Sequence, residues 1–130
     1  MTDIAIDTSA IVEVLTRGPQ ATSVRQTMDD AERVLVTPVA RVEVALVLMG
    51  RFGWTREEFD RGWNTLGLTD VVVDQALAGL AIDAFEAWGK GRASAALNFG
   101  DCFSHALAVA RGAPLLFIGG DFSRTELPKA

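Results

Sequence analysis

The sequence predicts an α/β fold, with a parallel central sheet flanked by helices. Short and fully apolar segments, such as Val34-Leu35-Val36, alternate along the chain with longer stretches that have helical patterns. Continuous apolar runs are typical of parallel strands, because helices cover both faces of such a sheet. The length of 130 residues and the hydrophobic content of 49% indicate one domain, residues 1–130, with a sizeable core.

Local signals place the elements along the chain. Thr37 followed by Pro38 begins a helix that reaches about residue 49, and the capping box Thr55-x-x-Glu58 begins the next one. Apolar periodicity and turn residues define the remaining elements. They are strands over residues 3–7, 34–36, 71–73 and 115–118, and helices over residues 9–17, 20–32, 75–88 and 101–111.

The composition limits the classes of partner. A net charge of −5 counts against binding nucleic acid through global positive charge, and alone it ranks RNA below a small-molecule substrate. No apolar run approaches the roughly 18 residues of a membrane span. The N-terminus lacks a secretory pattern, and Cys102 has no second cysteine with which to form a disulfide. We therefore expect a cytoplasmic protein that does not bind membranes.

Two acidic residues are predicted at one edge of the sheet. Asp7 follows the first strand, and Asp121 follows the last strand through two glycines. Open α/β sheets bind their ligands at the carboxyl ends of the strands. Each acid also has a purely structural interpretation, since Asp7 is suited to cap the following helix and aspartate is common in turns.

Glu43 and Asp101 lie on helices that are predicted to reach the same edge. Glu43 falls within an apolar stripe, where a carboxylate is costly to bury unless it is paired or binds a metal. Its pairing with Arg41 is disfavoured, because residues two apart on a helix do not face each other. Asp101 is placed with Ser104 and His105, opposite the apolar side of its helix, and faces either a cleft or solvent. The stripe around the glutamate consists of Val39, Val42, Leu46 and Met49.

Four carboxylates at one edge would repel one another unless cations neutralise them. Oxygen ligands of this kind suit Mg²⁺ or Mn²⁺, which can position and deprotonate a water molecule for attack on a phosphate. The single histidine and single cysteine argue against zinc chemistry, which usually needs several such ligands. The residues therefore favour a metal-dependent nuclease.

Several segments together resemble the PIN domain, and specifically the VapC toxins of bacterial VapBC toxin–antitoxin systems. The similarity spans almost the whole chain, and the Leu-Asn-Phe-Gly-Asp-Cys-Phe block is its most specific part. The segments are Ile6-Asp7-Thr8-Ser9-Ala10, Glu43-Val44-Ala45, Ala96-Leu97-Asn98-Phe99-Gly100-Asp101-Cys102-Phe103 and Leu115-Leu116-Phe117-Ile118-Gly119-Gly120-Asp121-Phe122.

The resemblance implies an endoribonuclease that needs Mg²⁺ or Mn²⁺, cuts RNA by water attack and is neutralised by a VapB-like antitoxin. It also implies a homodimer that contacts DNA only indirectly, through the antitoxin. The catalytic and metal-binding acids of the family fall on Asp7, Glu43, Asp101 and Asp121, and Ser9 matches the hydroxyl residue that supports the metal.

The chain departs from the family pattern at three places. Gly120 stands where close relatives often have another acid, His105 where an aromatic is common, and Ala93-Ser94 where His-Pro is usual. These changes concern substrate contacts and leave specificity open. Four basic residues are candidates for a rim that binds RNA, and the alternative is that they are ordinary solvated surface residues. They are Arg41, Lys90, Arg92 and Arg124.

Three other functions suit an acidic α/β domain of this size. A receiver domain that accepts a phosphoryl group needs paired acids after the first strand, and Asp7 has no acidic neighbour. A phosphatase with an aspartate nucleophile needs a second acid two residues on, where Ser9 stands. The third alternative is a catalytically silent module on the same fold that binds RNA or a partner.

Overall fold

The computed structural model describes residues 2–130, and Met1, the first residue of the predicted domain, lies outside this range. Strands and helices alternate within a single domain, as the sequence predicts. The strands are β1 (Ile4–Ile6), β2 (Val34–Val36), β3 (Thr69–Asp70) and β4 (Leu115–Leu116). The helices are α1 (Thr8–Leu15), α2 (Ala21–Asp30), α3 (Pro38–Arg51), α4 (Arg56–Asn64), α5 (Gln75–Trp88) and α6 (Phe99–Arg111).

The four strands form one parallel sheet in the order β3-β2-β1-β4. Alternate residues of β1 point to opposite faces, so that Ile4 and Ile6 join one apolar core while Ala5 joins the other. Because β1 is central, its carboxyl end lies beside that of β4, and the Asp7 N–H donates to the Leu116 carbonyl at 3.0 Å. This pairing brings the residues after both strands to one edge.

The third strand differs from the prediction. It occupies Thr69–Asp70 and not residues 71–73, although the Val71 N–H still donates to the Val36 carbonyl at 2.8 Å. Val72 is 78% exposed. An edge strand with polar residues has no continuous apolar run, so its sequence resembles that of a loop. The last strand is also shorter than predicted, since regular pairing ends at Leu116.

The predicted buried stripe of α3 is wrong. The helix buries Ala40, Val44 and Leu48 completely or nearly so. It exposes Val42 and Leu46 by 58% and 68%, and Met49 is exposed as well. Because α3 is apolar almost all the way round, periodicity did not distinguish the face that packs on the sheet from the face that meets solvent.

Helix α6 begins two residues earlier than predicted, at Phe99, and most of its residues are buried. Ser104 and His105 are buried, so of the two alternatives for that side of the helix, a cleft or solvent, the structure excludes solvent. His105 Nε2 lies 3.0 Å from Glu126 Oε1, which is within hydrogen-bonding distance, and Nδ1 has no hydrogen-bond partner within residues 2–130. Over the same range, no helix is both long enough and apolar enough to cross a bilayer.

Candidate active site

Asp7 stands at the junction of β1 and α1 and has two roles. It is the N-cap of α1, where its Oδ2 accepts hydrogen bonds from Ser9 N at 3.0 Å and Ser9 Oγ at 2.7 Å. Its Oδ1 accepts a hydrogen bond from Ser104 Oγ at 2.5 Å. Ser9 Oγ in turn accepts from the Ile118 N–H at 3.0 Å. The carboxylate is buried and joined to α1 and α6, and the residues beyond β4 are tied to it through Ser9.

Glu43 reaches the same region from α3. Its Oε1 accepts a hydrogen bond from Thr8 Oγ1 at 2.8 Å, and its carboxylate packs against the backbone of Gly100 in α6. Burial raises the pKa of Glu43, the negative charge of Asp7 adds to this, and the bond from Thr8 opposes it. Arg41 does not pair with Glu43, because its guanidinium lies 5.7 Å from the centre of the Trp63 ring.

Asp101 closes the site from the first turn of α6. It forms a capping box with Asn98, accepting from the Asn98 N–H at 3.0 Å and donating its own N–H to Asn98 Oδ1 at 2.9 Å. Burial raises the pKa of Asp101 from its ordinary value of 3.8 to about 7. The bond from Asn98 opposes the shift, and the charges of Asp7, Asp121 and Glu43 add to it.

Asp121 lies in the exposed segment that follows β4. Its negative charge acts on Asp101, which places it within electrostatic range of the other acids. The preceding Gly119 has a positive φ of 92°, a conformation that glycine adopts without strain and that turns the chain after the strand. Asp121 is therefore the most accessible of the four predicted acids.

The donor chemistry of this region fits a hard divalent cation. Asp7, Glu43, Asp101 and Asp121 offer only carboxylate oxygens, which are the ligands that Mg²⁺ and Mn²⁺ prefer. The raised pKa of Asp101 is caused mainly by burial, the neighbouring acids add to it, and a bound cation would oppose both effects. Among residues 2–130, no three acidic, histidine or cysteine side chains are grouped closely enough to enclose a metal ion as they stand.

Three residues of the site were not identified from the sequence. Ser104 and Thr8 donate hydrogen bonds to acids, and Gly100 leaves the space that the Glu43 carboxylate fills. A glycine inside the first turn of a helix was the one available signal, because glycine is unfavourable there without a packing reason. The serine contact joins residues 97 positions apart, and no local pattern encodes it.

The basic residues predicted for RNA each make a different contact in the structure. Arg92 donates to the Glu86 carbonyl at 3.2 Å and lies over the Phe85 ring, while Arg124 makes a long contact of 3.5 Å with the Ser94 carbonyl. Arg41 lies on the α4 side over Trp63, as described above. Lys90 alone lines a groove that also includes Asn98 and Phe99, close to Asp101 in sequence. A role of these residues in RNA binding stays a prediction.

Two apolar surfaces adjoin the acidic region. The first is the α3 face, formed by Val42, Leu46 and Met49, and it flanks Glu43. The second is the α5–α6 groove of about 560 Å³, in which Ile82 and Phe85 stand opposite the start of α6. The aromatic residues of α4 belong to neither, because Phe59 and Trp63 are buried in the core. Both surfaces are of the kind that proteins use to bind partners.

Comparisons with known proteins agree on one family. The sequence profile described as "PIN domain" matches residues 4–127. The chain is 40% identical over 126 residues to Ribonuclease VapC of Mycolicibacterium smegmatis, a match that covers 95% of this chain and 97% of that protein. It is 38% identical over 125 residues to Ribonuclease VapC30 of Mycobacterium tuberculosis, with 95% of each chain covered.

Solved structures share the fold at low sequence identity. The crystal structure of Mycobacterium tuberculosis VapC20, a toxin that cleaves the sarcin-ricin loop, matches with a TM-score of 0.76 and 16% identity over 98% of both chains. A chain of a toxin–antitoxin complex from Klebsiella pneumoniae matches with a TM-score of 0.70 and 14% identity, covering 95% of this chain and 92% of that one. These likenesses concern the fold alone.

Proposed function

The chain belongs to the PIN-domain family, within its VapC group, and on that premise we propose that it is a metal-dependent endoribonuclease toxin neutralised by an antitoxin. The observation that carries the proposal is the convergence of Asp7, Glu43 and Asp101 from β1–α1, α3 and α6, with Asp121 in electrostatic range. Its relatives are named as VapC ribonucleases. Membership of this family argues against a receiver domain and against a phosphatase with an aspartate nucleophile. The test described below distinguishes the proposed nuclease from a catalytically silent module.

In this proposal Asp7 and Asp101 are the principal ligands of Mg²⁺ or Mn²⁺, and Glu43 and Asp121 complete the set. The bound cation supplies Lewis acidity, which stabilises the negative charge that develops on the phosphate. Ser9 holds Asp7 through two hydrogen bonds and thereby fixes one face of its carboxylate. Thr8 does the same for Glu43, so the residues of α1 orient two acids that come from different elements.

The raised pKa values of Glu43 and Asp101 bear on proton transfer. Both shifts belong to the metal-free chain, and a bound cation would lower the two pKa values again. We infer that one acid of the set holds the attacking water and accepts its proton. The reaction then needs no covalent nucleophile, and the buried Cys102, whose pKa is also raised by burial, takes no part in it.

The partners follow from the same premise. RNA is the substrate, a VapB-like antitoxin is the inhibitor, and contact with DNA runs through the antitoxin alone. The α3 face and the α5–α6 groove supply exposed apolar area on both sides of the acidic region, which supports a homodimer and a second protein partner. RNA cleavage of this kind takes place in the cytoplasm.

The direct test compares wild type with Asp7→Asn and Asp101→Asn, which keep the side-chain shape but remove a ligand charge. We expect both variants to lose nearly all RNA cleavage and growth toxicity, yet to remain folded and to bind the antitoxin. EDTA should abolish wild-type cleavage, and added Mg²⁺ or Mn²⁺ should restore it. Cleavage that survives both EDTA and Asp7→Asn would refute the proposal, as would a folded wild type that cuts no RNA and has no toxicity.

A further inference from the structure

Ser104 contacts the acidic region from inside the protein. Its side chain is about 2% exposed and lies near the middle of α6. Its Oγ is 2.5 Å from Asp7 Oδ1, although the two residues are 97 positions apart in the chain. Of the four predicted acids, Asp7 is the only one whose two carboxylate oxygens both accept a hydrogen bond from a serine hydroxyl among residues 2–130.

The direction of these bonds is defined by the available hydrogens. Both serine hydroxyls donate, and the two carboxylate oxygens of Asp7 accept. Ser9 Oγ accepts from the Ile118 N–H, which leaves its hydrogen free for Asp7 Oδ2. A serine inside a helix often donates to the carbonyl four residues earlier. Ser104 donates instead to Asp7 Oδ1, which ties that oxygen to the rigid backbone of α6.

We propose that Ser104 is a positioning residue, which fixes the rotamer of the Asp7 carboxylate so that it is already oriented for a divalent cation. The inference rests on the proposed function of the acidic region. Residues that hydrogen-bond a metal ligand without touching the metal usually change metal affinity or activity by about 10–100-fold when they are removed. The alternative is that Ser104 competes with the cation for Asp7 Oδ1, in which case its removal tightens binding.

Calorimetric titration of the metal-free full chain with Mn²⁺ separates these possibilities. We expect Ser104→Ala to weaken Mn²⁺ binding about tenfold or more. Ser104→Thr keeps a hydroxyl at this position and should restore most of the affinity. In an Asp7→Asn background, Ser104→Ala should have no further effect on Mn²⁺ binding, because the charged ligand that Ser104 orients is already lost. The matched control is Ser23→Ala, which removes the same atom from an exposed residue of α2.

A second measurement detects folding defects. Far-ultraviolet circular dichroism and thermal melting of the metal-free variants should show that Ser104→Ala keeps the native fold, because the substitution removes one atom and adds none. Unchanged or tighter Mn²⁺ binding by folded Ser104→Ala would overturn the inference and leave the proposed function intact. A wild type that binds no Mn²⁺ and cuts no RNA would overturn the proposed function itself, and the inference with it.

Discussion

Replacing Gly100 by alanine tests whether the Glu43 carboxylate must lie where the structure places it. Gly100 is in the first turn of α6, and a Cβ built on it would overlap both oxygens of the Glu43 carboxylate. The helix backbone cannot retreat easily, because α6 is buried on most sides. Glu43 therefore has to swing away from α6, and its hydrogen bond from Thr8 Oγ1 at 2.8 Å is lost.

The expected effect on stability is small, because two contributions oppose each other. Alanine is favoured over glycine in a helix by up to about 1 kcal/mol. A hydrogen bond to a charged group contributes roughly 1.5–3 kcal/mol. With the full helix gain subtracted, the net destabilisation of Gly100→Ala should be about 0.5–2 kcal/mol. This corresponds to a fall in melting temperature of roughly 2–8 °C. Cleavage should fall at least about tenfold, a barrier increase of about 1.4 kcal/mol, since a proposed ligand is displaced.

The assay pairs thermal melting with cleavage of a fluorogenic RNA and titration with Mn²⁺. Gly79→Ala in α5 is the matched control, because an added Cβ there meets nothing within 4 Å. The control should gain up to about 1 kcal/mol in stability and retain full activity. If Gly100→Ala cleaves RNA and binds Mn²⁺ as the wild type does, the contact between Glu43 and α6 is not needed and the reasoning fails.

Three further predictions follow from the same contacts. Glu43→Gln should weaken Mn²⁺ binding and abolish cleavage without unfolding the protein. Full activity of Glu43→Gln together with loss of activity in Arg41→Ala, whose side chain lies over Trp63, would refute the assignment. Asp101 keeps its proton up to a pH of about 7 in the folded state but only up to about 3.8 in the unfolded state. The folded metal-free chain therefore binds more protons in this window, and its free energy of unfolding should fall as the pH rises from about 3.8 to about 7. Urea denaturation should show this slope in wild type and a flatter one in Asp101→Asn; equal slopes would contradict it. Sedimentation at micromolar concentration should give twice 13.9 kDa, and Leu46→Asp on the α3 face should give the monomer; a monomeric wild type would refute the dimer.

The parallel sheet and the places of its acids were predictable because both depend on local order. Asp7 follows an apolar strand and Asp121 follows another, and the rule that parallel strands end at one edge brings them close without any knowledge of packing. Asp101 was placed in the first turn of α6 because acids are favoured there, but the predicted start was two residues late, since the capping box of Asn98 and Asp101 was not recognised. The assignment of these acids to catalysis remains a prediction that the substitutions above decide.

The contacts that hold the acids were not predictable, because they join residues distant in sequence. The pattern of α3 placed Glu43 in a buried stripe for the wrong reason, since Val42 and Leu46 of that stripe are exposed. Glu43 is half-buried because it meets Gly100 across the interface with α6. When a helix is apolar on all sides, the elements that pack against it determine which face is buried. The sequence of the helix itself does not reveal that face.

Helix α6 explains why the acidic region is ordered before any cation binds. Gly100, Asp101 and Ser104 lie within about 100° of one another around the helix axis, at positions i, i+1 and i+4. Gly100 leaves space for the carboxylate of Glu43, and Ser104 donates a hydrogen bond to the carboxylate of Asp7. The third residue, Asp101, contributes the carboxylate of α6 itself. Because most residues of α6 are buried, rotating it to relieve one contact would break the others together with its apolar packing. The mutual repulsion of the acids is thus opposed by the core of the protein.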